Sequence, residues 1–217
     1  MPVNDPRTST QRLPASDRRR QLVETALDFF SRKGFGGTTT KEIAAAAGVT
    51  EAIIFRHFPT KQDLYNAVLD HHHNSPQLAE CVAQWKTYMD RNDDEALVRD
   101  IIEKIIEAYR CDLRGHRVLL FAALEGHETG LEHARALQLP IFKLLCEYLK
   151  RRQSEGAIRE GNPGAIIAAI AGMATHYATM TQMFGFSANT TDREMAESFV
   201  GIVMHGIQGH QQAQRAQ

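Results

Sequence analysis

The residues with the most to offer chemically lie in one twenty-residue stretch. From Thr39 to Phe58 the chain reads TTKEIAAAAGVTEAIIFRHF. It sets three hydroxyls (Thr39, Thr40, Thr50), two cations (Lys41, Arg56), a carboxylate (Glu51) and an imidazole (His57) around a short apolar frame. Hydroxyls and cations of this kind hold phosphate oxygens, while carboxylates and small apolar groups read base edges. Taken singly, Lys41, Arg56 or the nearby Lys61 would be ordinary solvated surface charges. Their joint placement is what points to a nucleic acid.

That placement depends on helices. Thr39 followed by Glu42 is a capping box, in which hydroxyl and carboxylate satisfy free backbone donors reciprocally. The short helix it opens turns Ile43, Ala44 and Ala47 inward. Gly48 supplies the left-handed residue of a tight turn, and Val49 plugs the angle between helices. A second short helix from Thr50 then buries Ile54 and Phe58 and leaves its leading residues outward, until Pro59 breaks it. This is the grammar of a helix-turn-helix, and a major groove about 12 Å wide admits one such helix. Upstream, Leu22, Ala26, Phe29 and Phe30 repeat at helical spacing beside Val23 and Leu27. Ser16 or Asp17 is the expected cap there, and Gly34, Gly36 and Gly37 the stop. Downstream, Thr60 and Asp63 repeat the capping pattern ahead of Leu64, Tyr65, Val68 and Leu69.

The rest of the chain is also helical in pattern. Asp93 or Asp94 caps a helix through Leu97, Ile101, Ile105, Ala108 and Tyr109, and another runs from about Gly115 to Glu125. A long helix spans roughly Thr129 to Glu155 and is expected to bend near Pro140. Asn162-Pro163 opens a helix to about Phe184, and a last one covers about Asp192 to Gly209. No alternating β-branched run or hairpin turn occurs. The expected fold is all-α with about nine helices: an N-terminal three-helix helix-turn-helix domain and a C-terminal helical bundle. The expected divisions are a flexible arm (1–16), a helix-turn-helix DNA-binding domain (17–70), a C-terminal helical domain (71–210) and a frayed tail (211–217).

Composition sets the limits. Apolar residues make up 43% and charged residues 24% of the 217, the balance of a globular protein. No stretch approaches the run of about 18 apolar residues that spans a membrane, and the first sixteen residues have no apolar core of a signal peptide, so the expected location is cytoplasmic. The net charge of -1 conceals an asymmetry, with an excess of +4 over residues 1–61 against -5 over the remainder. A basic head on an acidic body suits a DNA-binding domain joined to a domain of another kind. Cys81, Cys111 and Cys146 form no CxxC pair, which leaves neither a disulfide framework nor a zinc site.

Residues 17–69 resemble the DNA-binding domain of the tetracycline-repressor (TetR/AcrR) family of transcription regulators. The likeness rests on Phe29-Phe30 before a Gly-Phe-Gly-Gly turn, and on the run from Thr39 through Gly48-Val49 and Phe55-Arg56-His57-Phe58 to Lys61. It covers about a quarter of the chain. The resemblance implies that Lys41 reaches a guanine edge or a phosphate, that Thr40 donates to phosphate, that Thr50 contacts the DNA backbone, and that Glu51, Ala52 and Ile53 face bases, with Thr39 among the DNA-binding residues. His57 and Lys61 would clamp phosphates, with Arg56 where the family varies. Phe55 stands where tyrosine is commoner, so one phosphate hydrogen bond is missing. Arg7, Arg12 and Arg18 to Arg20 either add DNA contacts or form a solubilising arm.

For the C-terminal portion the resemblance implies a pocket for a lipophilic or aromatic effector and a homodimer joined through the last two helices. The candidate pocket residues are Trp85, Tyr88, Tyr109, Phe121, Leu124, Glu125, His176, Tyr177 and Met180, with plain core as the alternative for each. Ala165, Ala169, Gly172, Met195, Phe199, Ile202 and Val203 are the candidate dimer seam, with intrachain core as the alternative. The histidines His71 to His73, His127 and His133 invite a metal reading. Three consecutive helical residues point about 100° apart, however, and no HExxH or Glu-x-x-His spacing occurs. No GxSxG, P-loop or GxGxxG offers catalysis or nucleotide binding. The expectation is therefore a non-enzymatic regulator without cofactor or metal, more often a repressor than an activator. Its rivals are a helical metal carrier or enzyme and a constitutive DNA-binding protein.

Overall fold

A computed structural model describes residues 14–73, 76–187 and 189–207. Among them the chain forms ten α-helices: α1 (Ala15–Lys33), α2 (Thr40–Ala46), α3 (Glu51–His57), α4 (Lys61–His73), α5 (Pro76–Asp90), α6 (Asp94–Cys111), α7 (Arg114–Leu124), α8 (Glu128–Ser154), α9 (Pro163–Ala178) and α10 (Asp192–Ile207), with a π-helical turn at Thr179–Met183. The fold is all-α. The extra helix beyond the expected nine is α5, whose stripe of Leu78, Val82, Trp85 and Met89 repeats at four, three and four residues behind a proline at the first helical position. The arm up to residue 13 and the tail expected at 211–217 lie outside the described residues.

Local chemistry accounts for most helix ends. Thr39 accepts the Glu42 N–H at 3.2 Å while the Glu42 carboxylate accepts the Thr39 N–H at 2.9 Å, so the capping box is complete. Thr60 and Asp63 repeat it at 3.1 and 3.0 Å. Asp93 and Asn162 cap α6 and α9. The start of α1 differs from expectation: the helix begins at Ala15 after Pro14 and has no side-chain cap, which puts Ser16 and Asp17 inside its first turn. The long α8 runs on through Pro140, and the expected helix to Phe184 ends at Ala178, where the π turn takes over.

The buried residues fall into two hydrophobic cores. The first gathers Leu22, Phe30, Ile43, Ile54, Phe58, Leu64 and Tyr65 with their neighbours from α1 to α4, together with Val118 from α7. The second runs from Trp85 to Val203 through α5, α6, α8, α9 and α10. Helix α7 therefore stands between them, packed on α1 on one side and on α8 on the other.

Candidate nucleic-acid interface

The helix-turn-helix is assembled as its residues require. Gly48 adopts φ +67, a conformation glycine takes without the Cβ penalty. The Val49 N–H returns to the Ala44 carbonyl at 2.9 Å, which closes the turn between α2 and α3. Ile54 and Phe58 are buried and anchor the trailing face of α3. The leading residues point the other way: Thr50, Ala52, Phe55 and Arg56 are exposed, as is Lys41 on α2, and Glu51 and Ile53 are half-buried. A helix held by its back with its first turn in solvent is what entry into a major groove requires.

Several side chains are engaged in ways their residue types did not reveal. Thr50 occupies the N-cap position of α3 but makes no capping bond, so its hydroxyl is left for an external acceptor. Thr40 donates to the Glu51 carboxylate at 2.6 Å; the two tie α2 to α3, which corrects the expectation of a free phosphate donor and a free base reader. Lys61 lies with Nζ 4.3 Å from the centroid of the Phe35 ring, and burial lowers its pKa against the opposing pull of Glu125 and Glu42. The His57 Nε2 is enclosed without a partner, and burial, then the charges of Arg56, Arg19 and Arg18, lower its pKa. Neither Lys61 nor His57 extends toward solvent as a phosphate clamp here. Each would have to turn outward to become one. In the basic run of α1, Arg19 lies over Phe58 at 4.7 Å, Arg18 donates to Gln21 and Arg20 pairs with Asp17. Arg7 and Arg12 lie outside the described residues.

The C-terminal candidates do not converge on one cavity. Trp85, Tyr109 and Tyr177 are core residues: the Trp85 indole donates to Asp100 at 2.7 Å, the Tyr109 ring lies tilted against His116 with centroids 3.8 Å apart and Tyr177 donates to Asp192 at 2.8 Å. Burial, then the Asp192 bond, pushes the Tyr177 phenol up to about 12. Met180 sits half-buried in the π turn. Tyr88 lines a polar surface cleft of about 320 Å³ with Asp93, Arg99, Asp100 and Glu103. Four candidates are corrected outright. Leu124 is 83% exposed, His176 is exposed, Phe121 lies against Gly34, and Glu125 accepts the N–H groups of Phe35 and Gly36 at 3.1 and 3.3 Å. The reason is common to Phe121 and Glu125: the C-terminal end of α7 faces the N-terminal domain rather than the bundle interior. At the candidate seam, Ala165, Ala169, Gly172 and Ile202 are exposed, while Met195 and Phe199 pack partly on their own core. Val203 is buried within that core, which corrects its place at the seam.

The contacts between the domains escaped the sequence altogether. Arg114 donates to Asp28 at 2.7 Å and to Asp112 at 2.8 Å, and its partner Asp28 is 86 positions away, beyond the reach of any local pattern. Within the α1–α4 unit His71 lies 2.7 Å from Glu24, and between α8 and α4 His133 lies 3.1 Å from Asp70. Among the described residues no three metal-ligating side chains gather.

A buried-backed α3 with Thr50, Ala52, Phe55 and Arg56 outside, next to a capped α2, has the geometry of a helix-turn-helix. Residues 22–68 match the model of the bacterial regulatory proteins of the tetR family. Over 143 residues the chain is 29% identical to the HTH-type transcriptional regulator YvkB of Bacillus subtilis, covering 66% of this chain and 71% of that one. It is 32% identical over 127 residues to the HTH-type transcriptional repressor Rv3405c of Mycobacterium tuberculosis, covering 54% and 57%; the match thus spans little more than half of that repressor. In fold it is similar to AibR, solved in complex with isovaleryl coenzyme A and operator DNA, with a TM-score of 0.60, 22% identity and coverage of 85% and 97%. The helix-turn-helix region, residues 22–68, is thus similar to that of the tetR family of bacterial regulatory proteins.

Proposed function

We propose that this protein is a repressor that holds operator DNA as a homodimer and is released by a small molecule bound in its C-terminal domain. The observation that carries the reading is the orientation of α3, with Ile54 and Phe58 buried and Thr50, Ala52, Phe55 and Arg56 outside. The exposed small residues of α9 (Ala165, Ala169, Gly172) and the exposed Ile202 of α10 support a two-fold partner, since small residues let helices approach closely. A two-fold protein suits two half-sites about 34 Å apart. A relative named as a repressor and a fold neighbour solved with an acyl-coenzyme A and operator DNA support release by an effector. The effector need only prefer the splayed form by several kcal/mol to empty the operator. The division into residues 17–70 for DNA and 71–210 for effector and partner belongs to this reading, as do a cytoplasmic location and the absence of catalysis. No helix among the described residues is long and apolar enough to cross a membrane.

The test is binding to duplex fragments of the protein's own promoter at several salt concentrations. Lys61→Ala should weaken binding across sequences and reduce the salt slope by about 1, whereas Ile53→Ala should alter sequence preference. A protein indifferent to every such fragment would reject the reading.

A further inference from the structure

The turn joining α7 to α8, Glu125-Gly126-His127, is where the two domains meet. The His127 ring lies against Phe35, with centroids 4.5 Å apart, and against Tyr65 at 4.9 Å, both from the N-terminal domain. Its Nδ1 accepts the Gly130 N–H at 3.1 Å, which makes His127 the N-cap of α8. Its Nε2 lies 3.2 Å from the Gln62 Oε1. The Gln62 amide nitrogen is already committed to Asn66 at 2.9 Å, so the oxygen faces His127 and the imidazole must donate. Both bonds demand the same neutral tautomer, with Nδ1 bare and Nε2 carrying the proton.

A second proton can go only to Nδ1. It would remove the acceptor from Gly130 and place a cation at the positive end of the α8 dipole. The surrounding charges divide. Glu125 on the turn and Glu128 on α8 favour a cation, while Lys61 of α4, beside the same Phe35 ring, opposes it. His71 and His133 stand in contrast, because their partners are the carboxylates of Glu24 and Asp70. We propose that His127 is a proton-sensitive pin between the domains: the neutral ring fixes the N-terminus of α8 on Phe35 and Tyr65, and protonation loosens that junction and the placement of the DNA-reading helices. The second half of this statement rests on the proposed function; the first does not.

Amide hydrogen exchange on the full chain tests the pin without DNA. Between pH 8 and 5.5, after correction for the intrinsic rate, protection at Gly130 should fall about fivefold, the scale of one lost cap. In His127→Asn, which caps without titrating, protection should stay level. A flat wild-type profile, or the same acid loss in the Asn variant, would overturn the pin. The wild-type ring nitrogen shifts give a reading independent of any variant, and a protonated Nδ1 at pH 8 would overturn it as well. Operator affinity of the two proteins then separates the claims. Acid weakening in the wild type alone supports control of the DNA-reading helices; a pH-independent affinity alongside the exchange pattern overturns that half. Absence of DNA binding at pH 8 condemns the proposed function and leaves the pin standing.

Discussion

The two domains are held together at different ranges along the chain. In the N-terminal domain the contacts that set the helix ends are near neighbours, Thr39 with Glu42, Thr60 with Asp63, and the Gly48 turn between α2 and α3, although Glu24 also reaches His71 across 47 positions. In the C-terminal domain they are distant. Asp94 reaches Arg152 across 58 positions and Tyr148 across 54, and Arg151 reaches the Met89 carbonyl across 62. Local devices fix short helices that tertiary packing alone would leave marginal. Long-range polar ties instead fix how long helices sit against one another. A domain that must present one rigid helix benefits from the first, and a bundle whose helices shift against each other is governed by the second.

The most severe way to break this contrast is to remove Phe30. It is fully buried, edge-on to Tyr65 at 5.0 Å, and it joins α1 to α4. Phe30→Ala should cost about 4 kcal/mol, confined to the first core. The single tryptophan lies in the second core at Trp85. Urea unfolding followed by circular dichroism should therefore lose part of its helical signal before Trp85 fluorescence changes. Coincident transitions would show that Val118 of α7 couples the cores into one unit, and the contrast between domains would fail. Asp94→Ala attacks the other side. It takes the Asp94 carboxylate from the Arg152 guanidinium, whose side chain is 12% exposed, and leaves Glu155 to pair with it, at a cost of about 3 kcal/mol. The Tyr148 phenol, which burial and then the Asp94 bond push well up, should titrate lower in that variant. Here fluorescence should move first.

The same difference of range decides what could be read from residues alone. The capping boxes, the Gly48 turn and the buried Ile54 and Phe58 are all patterns within four or five positions, and the structure has each of them. Helix α5 was legible too, in Leu78, Val82, Trp85 and Met89, but it lacks the polar cap that marked its neighbours. Side-chain engagement was not legible. Nothing in the residue types says that Thr40 and Glu51, eleven positions apart, spend their polar atoms on each other, or that Lys61 lies on Phe35. Glu125 is the clearest case. As a polar residue on an amphipathic helix it suited a pocket rim, yet its partners are backbone amides about 90 positions upstream. A Cβ on Gly34 would collide with its carboxylate, so the glycine signals a close approach, although only the structure shows by what.

The mildest test of the contrast is electrostatic and local. The Glu42 carboxyl is held down to about 2, first by its bond to Lys33 and then by the Thr39 amide and hydroxyl, with Lys33 Nζ at 2.6 Å. A carboxyl depressed in the folded state stabilises in full above the ordinary glutamate range. That contribution is lost as pH falls from about 4.3 toward the folded value. The difference in urea midpoint between the wild type and Glu42→Gln should therefore be constant from pH 7 to 5 and vanish near pH 2. Because the group is exposed, 1 M salt should shrink the Lys33 share and leave the capping share, for screening acts on the ion pair more than on a bond to a backbone amide. A difference that persisted unchanged to pH 2 would mean that α2 is held by packing of Ile43 and Ala44 alone, and the N-terminal domain would then be ordered at the same range as its neighbour.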